Sequence, residues 1–277
     1  MKVLKHILII FAVINLAGCT EGCDPETISP CNVRKPDNYV AIRLAGAGMA
    51  TIDWGDGMSD TFPLIAFNYD QWESFGTEYW YAHYYYGMSA CTVTIVGDNI
   101  THAVCNGRMT ALDLSKNTAL TYFVNNTTLP TLDLSSNTAL THLECGAHMK
   151  TLDLSKNTAL TYLVCHSNLP VLDISKNTAL TYLRCPGNEF VTLDVSNNVM
   201  LTELHCINNR LTALDLSKNT SLIYLDCRAN QLSVKALDDL FETLNTNPGY
   251  KQIYTLDNPG RRDCDTSIAT DRGWTVW

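Results

Sequence analysis

The stretch LTYLVCHSNLPVLDISKNTA, Leu160 to Ala179, returns almost unchanged on either side of itself. Leu140 to Ala159 reads LTHLECGAHMKTLDLSKNTA, and Leu120 to Ala139 reads LTYFVNNTTLPTLDLSSNTA. Leu180 to Met200 and Leu201 to Ser221 repeat the pattern with one more residue each. Ile100 to Ala119 is a degenerate first copy, and Leu222 opens a last one. A fixed period of about 20 residues marks a solenoid, in which each unit buries its apolar side only against the next. Within the unit, Tyr162-Leu163-Val164-Cys165 alternates, with Leu163 and Cys165 expected inward. Val171-Leu172-Asp173-Ile174 alternates likewise, so period-2 patterning predicts two short strands per coil.

The consensus L-x-x-L-x-C-x-x-N-x-L-x-x-L-D-L-S-x-N resembles leucine-rich repeats, with Cys at the third apolar position. Two strands in about 20 residues leave no room for a convex helix, so the unit is similar to the nested bacterial variant with a parallel sheet on each side. Coils stacked about 4.8 Å apart give six or seven coils a length on the order of 30 Å.

Three columns repeat for the coil's own sake. Cys105, Cys145, Cys165, Cys185, Cys206 and Cys227 recur at the repeat spacing. They are expected to form a ladder of small buried hydrophobes, because thiols pointing the same way on parallel strands suit neither a disulfide nor a tetrahedral metal site. Asn125 interrupts that column and would bury an amide in need of partners. Asn117, Asn137, Asn157, Asn177, Asn198 and Asn219 fall at a turn, where Asn bonds its own and nearby backbone. Asp113, Asp133, Asp153, Asp173, Asp194 and Asp215 are expected to accept turn N–H groups or face a neighbouring Lys such as Lys156 or Lys176.

Positions that differ from coil to coil are free to recognise something else. One outward column reads His102, Tyr122, His142, Tyr162, Tyr182, Glu203, Tyr224, and its neighbour reads Val104, Val124, Glu144, Val164, Arg184, His205, Asp226. Tyr and Arg supply interface hot spots, and a solenoid presents such columns as one extended surface. The candidate ligand-binding residues are therefore His102, Tyr122, His142, Tyr162, Tyr182, Glu203, Tyr224, Arg184 and His205. The competing role for the same rings is cross-strand stacking that stabilises the sheet.

After Asn230 the pattern changes. Ser233 is placed as an N-cap ahead of Leu237, Leu240, Phe241 and Leu244 at helical spacing, and Asn245 to Gly249 ends that helix. Gln252 to Leu256 reads as a strand, Asp263 to Ala269 as the start of a short helix, and Trp274 to Trp277 closes the chain. Residues 231–277 are expected to cap the last coil. Cys264, between Asp263 and Asp265, is expected to be a buried cap cysteine.

Ahead of the repeats, Tyr39 to Leu44, Ala50 to Gly57 and Thr92 to Gly97 are short alternating runs between glycine turns, which suggests a small β-sandwich over residues 37–99. Trp54-Gly55-Asp56-Gly57, with His83 and Tyr85 and then Thr92-Val93-Thr94-Ile95, resembles the PKD domain, an Ig-like sandwich; Cys91 stands where that family typically has Tyr. Asp53, Asp56 and Asp60 lack the spacing of an EF-hand and read as turn carboxylates. The cluster Tyr79-Trp80-Tyr81 and Tyr84-Tyr85-Tyr86 exceeds what one small core absorbs, leaving part of it for the first coil or for stacking on carbohydrate.

Lys2 and Lys5 precede the apolar run Ile7 to Ile14, too short to span a membrane and suited to a signal peptide. The run ends in Leu16-Ala17-Gly18-Cys19, which resembles the bacterial lipobox, and that resemblance implies cleavage before Cys19 and its acylation. Thr20 in place of Asp implies the outer membrane, and the acidic stretch Glu21, Asp24, Glu26 resembles the surface-export signal of Bacteroidetes lipoproteins. Cys23 and Cys31 lie in the tether, and their pairing is left open. The expected layout is a signal peptide (1–18), a lipidated tether (19–36), the PKD-like sandwich (37–99), the solenoid (100–230) and the cap (231–277). The fold class is mainly β: a leucine-rich-repeat solenoid with short parallel strands, a small β-sandwich before it and an α/β cap after it.

A net charge of −9 and the absence of a basic patch argue against nucleic acid. Paired catalytic carboxylates, a Ser elbow, a zinc motif and a phosphate loop are missing from the sequence, so no catalytic residue, metal or cofactor is expected. The chain resembles internalin-like and Bacteroidetes leucine-rich surface proteins. That resemblance implies a lipid-anchored adhesion module that binds protein or glycan at a cell surface. The alternative is a carbohydrate-capture lipoprotein beside an outer-membrane transporter.

Overall fold

The computed structural model describes residues 39–66, 80–85, 92–146, 149–166 and 168–277. The signal peptide, Cys19, the tether with Cys23 and Cys31, and Cys91, Tyr79 and Tyr86 lie outside the described residues.

One sheet runs through the described chain. Its N-terminal part holds β1 (Tyr39–Asp53), β2 (Ser59–Pro63), β3 (Tyr81–Tyr84) and β4 (Thr92–Gly107). The coils then add one strand each: β6 (Tyr122–Thr127), β7 (His142–Cys145), β8 (Tyr162–Cys165), β9 (Tyr182–Arg184), β10 (Glu203–His205) and β11 (Tyr224–Asp226). From β4 through β11 successive neighbours pair in parallel and in repeat register, Leu143 beside Leu163 beside Leu183. Leu163, Leu183, Leu204 and Leu225 are buried with the cysteines beneath this sheet. A buried Leu contributes about 2 kcal/mol, and each coil contributes several.

The second strip of each coil differs from expectation. Leu172 and Ile174 do point inward, yet Val171 to Ile174 joins no strand ladder. Only the first coil forms a strand there, β5 (Ala111–Asp113), paired with Thr92 to Thr94. Every coil bends directly after this strip, as where Asp173 Oδ1 accepts from Ser175 N at 2.9 Å and Ile174 O from Asn177 N at 3.0 Å; the first coil has the same turn and differs in having the long strand β4 beside it. Coils on this side are tied chiefly by side chains, beside single backbone bonds such as Lys150 N–H to Pro130 O at 3.1 Å. Asn137 Nδ2 donates to Leu114 O and Asn117 O of the coil before it, at 3.1 and 2.9 Å. Asn157, Asn177, Asn198 and Asn219 do the same, so this column bridges coils as well as lining a turn.

Two further side-chain ladders join the coils. Thr121, Thr141, Thr161, Thr181 and Thr202 each donate Oγ1–H to the preceding threonine's carbonyl at 3.0–3.1 Å. Asn188, Asn209, Asn230 and Asn258 form a second amide column, donating to the carbonyls of Cys165, Cys185, Cys206 and Cys227.

At the N-terminal end, β1 lies antiparallel to β2, β3 and β4. The boundary expected between residues 99 and 100 falls inside β4, and the described part of 37–99 belongs to the same sheet as the coils. β4 pairs with β1 along its length while Thr92 to Thr94 meets β5 and His102 to Gly107 meets β6. Register shifts at Ala45/Gly46 and Ala47/Ala50 let one long strand pair serve both contacts. Gly46 lies against Asn99, whose carbonyl oxygen stands 2.0 Å from where a Cβ would be, so a side chain there is excluded.

The C-terminal segment contains α1 (Val234–Thr243), β12 (Lys251–Tyr254), α2 (Ser267–Asp271) and β13 (Trp274–Val276). Ser233 caps α1 as expected, its Oγ accepting from Ala236 N at 3.2 Å, and Leu237, Leu240 and Phe241 are buried. β12 and β13 extend the parallel sheet, so the cap continues the solenoid in addition to covering it.

Candidate functional site

The alternation that buries Leu163 and Cys165 turns Tyr162 and Val164 to the opposite face, and parallel register stacks like positions coil upon coil. His102, Tyr122, His142, Tyr162, Tyr182, Glu203 and Tyr224 thus form one column, and Val104, Val124, Glu144, Val164, Arg184, His205 and Asp226 the next. All nine sequence-selected residues sit on this one strip.

The rings form a continuous stack. Centroids are 5.4 Å apart from His102 to Tyr122, 4.1 Å from Tyr122 to His142, 4.1 Å from His142 to Tyr162 and 4.4 Å from Tyr162 to Tyr182. Glu203 leaves a gap, which His205 fills from the neighbouring column at 5.3 Å from Tyr182 and 4.6 Å from Tyr224. The stack runs on to Tyr254 and Trp277, at 5.4 and 6.3 Å steps. Those last two rings escaped the sequence reading because the final coils are longer than the repeat; the alignment of Gln252-Ile253-Tyr254 on Tyr224-Leu225-Asp226 was the available signal.

Stacking therefore operates, and it decides what the strip can offer. His142 has near-parallel rings on both faces, at 18° and 7°, and Tyr162 at 7° and 4°. Their faces are covered, which leaves the ring edges, and the Nε2 edge of His142 meets Glu144 at 3.0 Å. The ring column is half-buried, and in the neighbouring column Val124 and Val164 are buried while Arg184 is exposed.

Electrostatics follow from this partial burial. Burial, with help from His142, lowers the His102 pKa to about 4, so that ring is neutral at physiological pH. Burial, then the Tyr182 and Glu144 charges, raise Tyr162 to about 12. Glu144 is held below the usual carboxylate range by its contact to His142 Nε2 at 3.0 Å.

Beneath the sheet, Cys105, Cys145, Cys165, Cys185, Cys206 and Cys227 are buried free thiols. Burial pushes Cys105, Cys165 and Cys206 up to about 12, far from the thiolate that nucleophilic or metal chemistry requires. Asn125 finds its partners in Thr127, whose N–H and Oγ1 donate to Oδ1 at 3.2 and 2.6 Å, and in Met149 Sδ at 3.9 Å. Among the described residues no group of three or more His, Cys, Asp or Glu is placed to hold a metal ion. Cys264 is only partly buried, and its Sγ–H lies 3.4 Å from Arg261 O.

The remaining candidates are occupied in holding turns. Asp113, Asp133, Asp153, Asp173, Asp194 and Asp215 each accept from the Ser two residues on at 2.8–2.9 Å, which lowers their pKa values. Near the N-terminus, Trp54, Asp56, His83 and Tyr85 come together. Asp56 Oδ2 lies 2.6 Å from His83 Nε2, the His83 ring stacks 5.1 Å from Trp54, and Tyr85 donates to Trp54 O at 2.7 Å. Asp60 accepts from Trp54 Nε1, and Asp53 from Gly55 N, so these carboxylates build structure.

No family model matches the chain, and no curated protein matches it. Solved structures do. The functional domain of InlJ from Listeria monocytogenes, which includes a cysteine ladder, is 27% identical with a TM-score of 0.50 over 62% of this chain and 43% of that one. The leucine-rich-repeat protein LIC12759 of Leptospira interrogans is 17% identical, also with a TM-score of 0.50, over 62% of this chain and 46% of that one. The chain thus spans less than half the length of these two structures. The likeness shows the fold: a mainly β solenoid of parallel-stranded coils, of leucine-rich-repeat type.

Proposed function

We propose that the chain is a lipid-anchored surface adhesion protein, fixed to the outer membrane through Cys19, that binds a protein partner with the strip from His102 to Tyr224 and its neighbouring column. The observation that carries this reading is a division of labour. The Asn, Asp, Thr and Cys columns are engaged in building coils, whereas the strip carries the side chains that differ from coil to coil and leaves their ring edges uncovered by the stack. Hydroxyl and imidazole edges with an Arg suit the mixed polar and aromatic contacts of protein interfaces. Flat sugar rings, in contrast, stack on open aromatic faces, and those of His142 and Tyr162 are covered.

Carbohydrate capture beside an outer-membrane transporter is the second reading. One observation favours it: Trp277, at the end of the ring stack, is 49% exposed. The two readings separate on paired arrays of surface proteins and of glycans. Tyr162→Ala with Tyr182→Ala is expected to weaken binding to the captured protein at least about tenfold, near 1.4 kcal/mol. Glycan binding lost on Trp277→Ala and indifferent to the tyrosines would favour carbohydrate capture instead.

The remaining layout follows the sequence motifs: signal peptide 1–18, lipidated tether 19–36, a PKD-like segment 37–99 and solenoid 100–230 that share β4, and cap 231–277. Several acyl-chain methylenes at about 0.8 kcal/mol each make a firm anchor. Protease shaving of intact cells is expected to degrade the protein before lysis. Survival until lysis would place it on the inner leaflet and end the adhesion reading.

A further inference from the structure

Each ionisable side chain of the recognition strip's neighbouring pairs has a contact partner, with one exception. Glu144 meets His142 on its own strand at 3.0 Å, and Glu203 meets His205 at 3.5 Å. Asp226 is bound by the Arg228 guanidinium at 2.9 and 2.7 Å. Arg184 has neither a hydrogen bond nor an ion pair among the described residues, and it is the exposed member of its strand.

The strand geometry explains this isolation. Side chains two apart share a face, so the residues beside Arg184 along its strand direction are Tyr182 and Pro186, neither a carboxylate. Across the sheet the register sets Val164 on one side and His205 on the other. Glu144 lies two coils away, in contact with His142 and near enough for Arg184 to favour its ionised form without a direct bond; Glu203 contacts His205. The surroundings suit a planar cation. Val164, 3% exposed, is the register partner of Arg184 on the preceding coil and makes that side of it apolar. Tyr182, two residues before Arg184 and on the same face, sets a hydroxyl-bearing ring beside it. His166 on the preceding coil is kept toward its neutral form, chiefly by burial and then by Arg184 itself, so it does not add a competing charge.

We propose that Arg184 is the anchor of the strip for a carboxylate of an Asp or Glu side chain on a protein partner, gripped by the guanidinium fork, with the Tyr182 hydroxyl donating to the same group. This rests on the reading that the strip is the binding face, and it names the chemistry at one point of that face. An Arg–carboxylate fork is a strong directional contact, and an apolar neighbour strengthens it by thinning the local water. The acid belongs to a protein and not to a uronic sugar for the reason given above: the ring faces flanking the site are stacked on one another.

The test is a display library of linear peptides selected on the immobilised full-length chain, with an array of uronate-containing glycans alongside. Selected peptides are expected to be enriched in Asp or Glu. Their binding should fall at least about tenfold with Arg184→Met and less with Arg184→Lys, which keeps the charge without the fork. Lys176→Met, at a distant turn, should leave binding unchanged. Arg184 is exposed, so its variants should melt with the parent, and a melting curve confirms that they fold. Peptides without acidic enrichment, or indifferent to Arg184→Met, overturn the proposal. Loss with Tyr162→Ala but not with Arg184→Met removes the anchor and keeps the strip. Indifference to both removes the strip too. Failure to select any peptide, or capture of uronate glycans in preference to peptides, counts against a protein carboxylate as the ligand.

Discussion

Replacing Asn177 with Leu is expected to lower stability by about 2 kcal/mol, while the same change at Asn117 leaves stability unchanged or slightly raised. The two residues share a column, a burial state and a turn. They differ in what lies before them. Asn177 Nδ2 donates to Leu154 O at 3.1 Å and to Asn157 O at 2.8 Å, binding its coil to the previous one. Leucine loses both bonds, at about 1 kcal/mol each, and leaves the two carbonyls with only the N–H groups of their own coil. Asn117 belongs to the first coil, and among the described residues neither its Nδ2 nor its Oδ1 has a hydrogen-bond partner, whereas in Asn177 only Oδ1 lacks one. Burying that amide already costs what Leu would not, so removing it relieves a desolvation penalty. Urea unfolding of the two variants measures the difference; equal losses would mean that the column acts by shape alone.

Lys251→Met is expected to cost about 3 kcal/mol, concentrated at the C-terminal end. Lys251 is 2% exposed, which is unusual for a lysine, and its Nζ donates to Asn245 O, Asn247 O and Arg272 O at 3.0, 2.6 and 2.9 Å. Asn245 and Arg272 follow the last turns of α1 and α2, where carbonyls lack helical partners and the helix dipole favours a cation. Burial lowers the lysine pKa, but three carbonyls and the Trp274 ring 5.6 Å away offset much of the desolvation. Methionine fills the same space and satisfies none of them. Limited proteolysis should then open the segment between Asn245 and Arg272 before the coils are cut. A variant as resistant as the parent would show that water replaces the ammonium without loss.

The solenoid was legible because its period is written several times over, and a strand's inward positions cannot shift by one without exposing Leu and Cys. The second strip misled for a definable reason. Val171 to Ile174 alternates like a strand because alternate residues do face the core, but alternation reports burial and does not report which groups bond the neighbouring coil. There the bonds come chiefly from Asn177 and its equivalents, whose role depends on a coil 20 residues earlier. Lys251 was unreadable for a similar reason: a lysine before a strand looks solvated until two helix ends converge on it. The strip itself was visible as variation between coils. What the sequence left hidden was the orientation of the rings, since a column of Tyr and His is the same string whether its faces are open or stacked.

That orientation makes the binding role of the strip testable at single positions. A photo-crosslinking amino acid placed at Glu203, at the gap in the ring stack, should link the full-length chain to its protein partner on cells. The same group at Val171, exposed on the second strip of the coil, should give no adduct. Adducts from Glu203 alone are the expected result; adducts from Val171 without any from Glu203 would contradict the account.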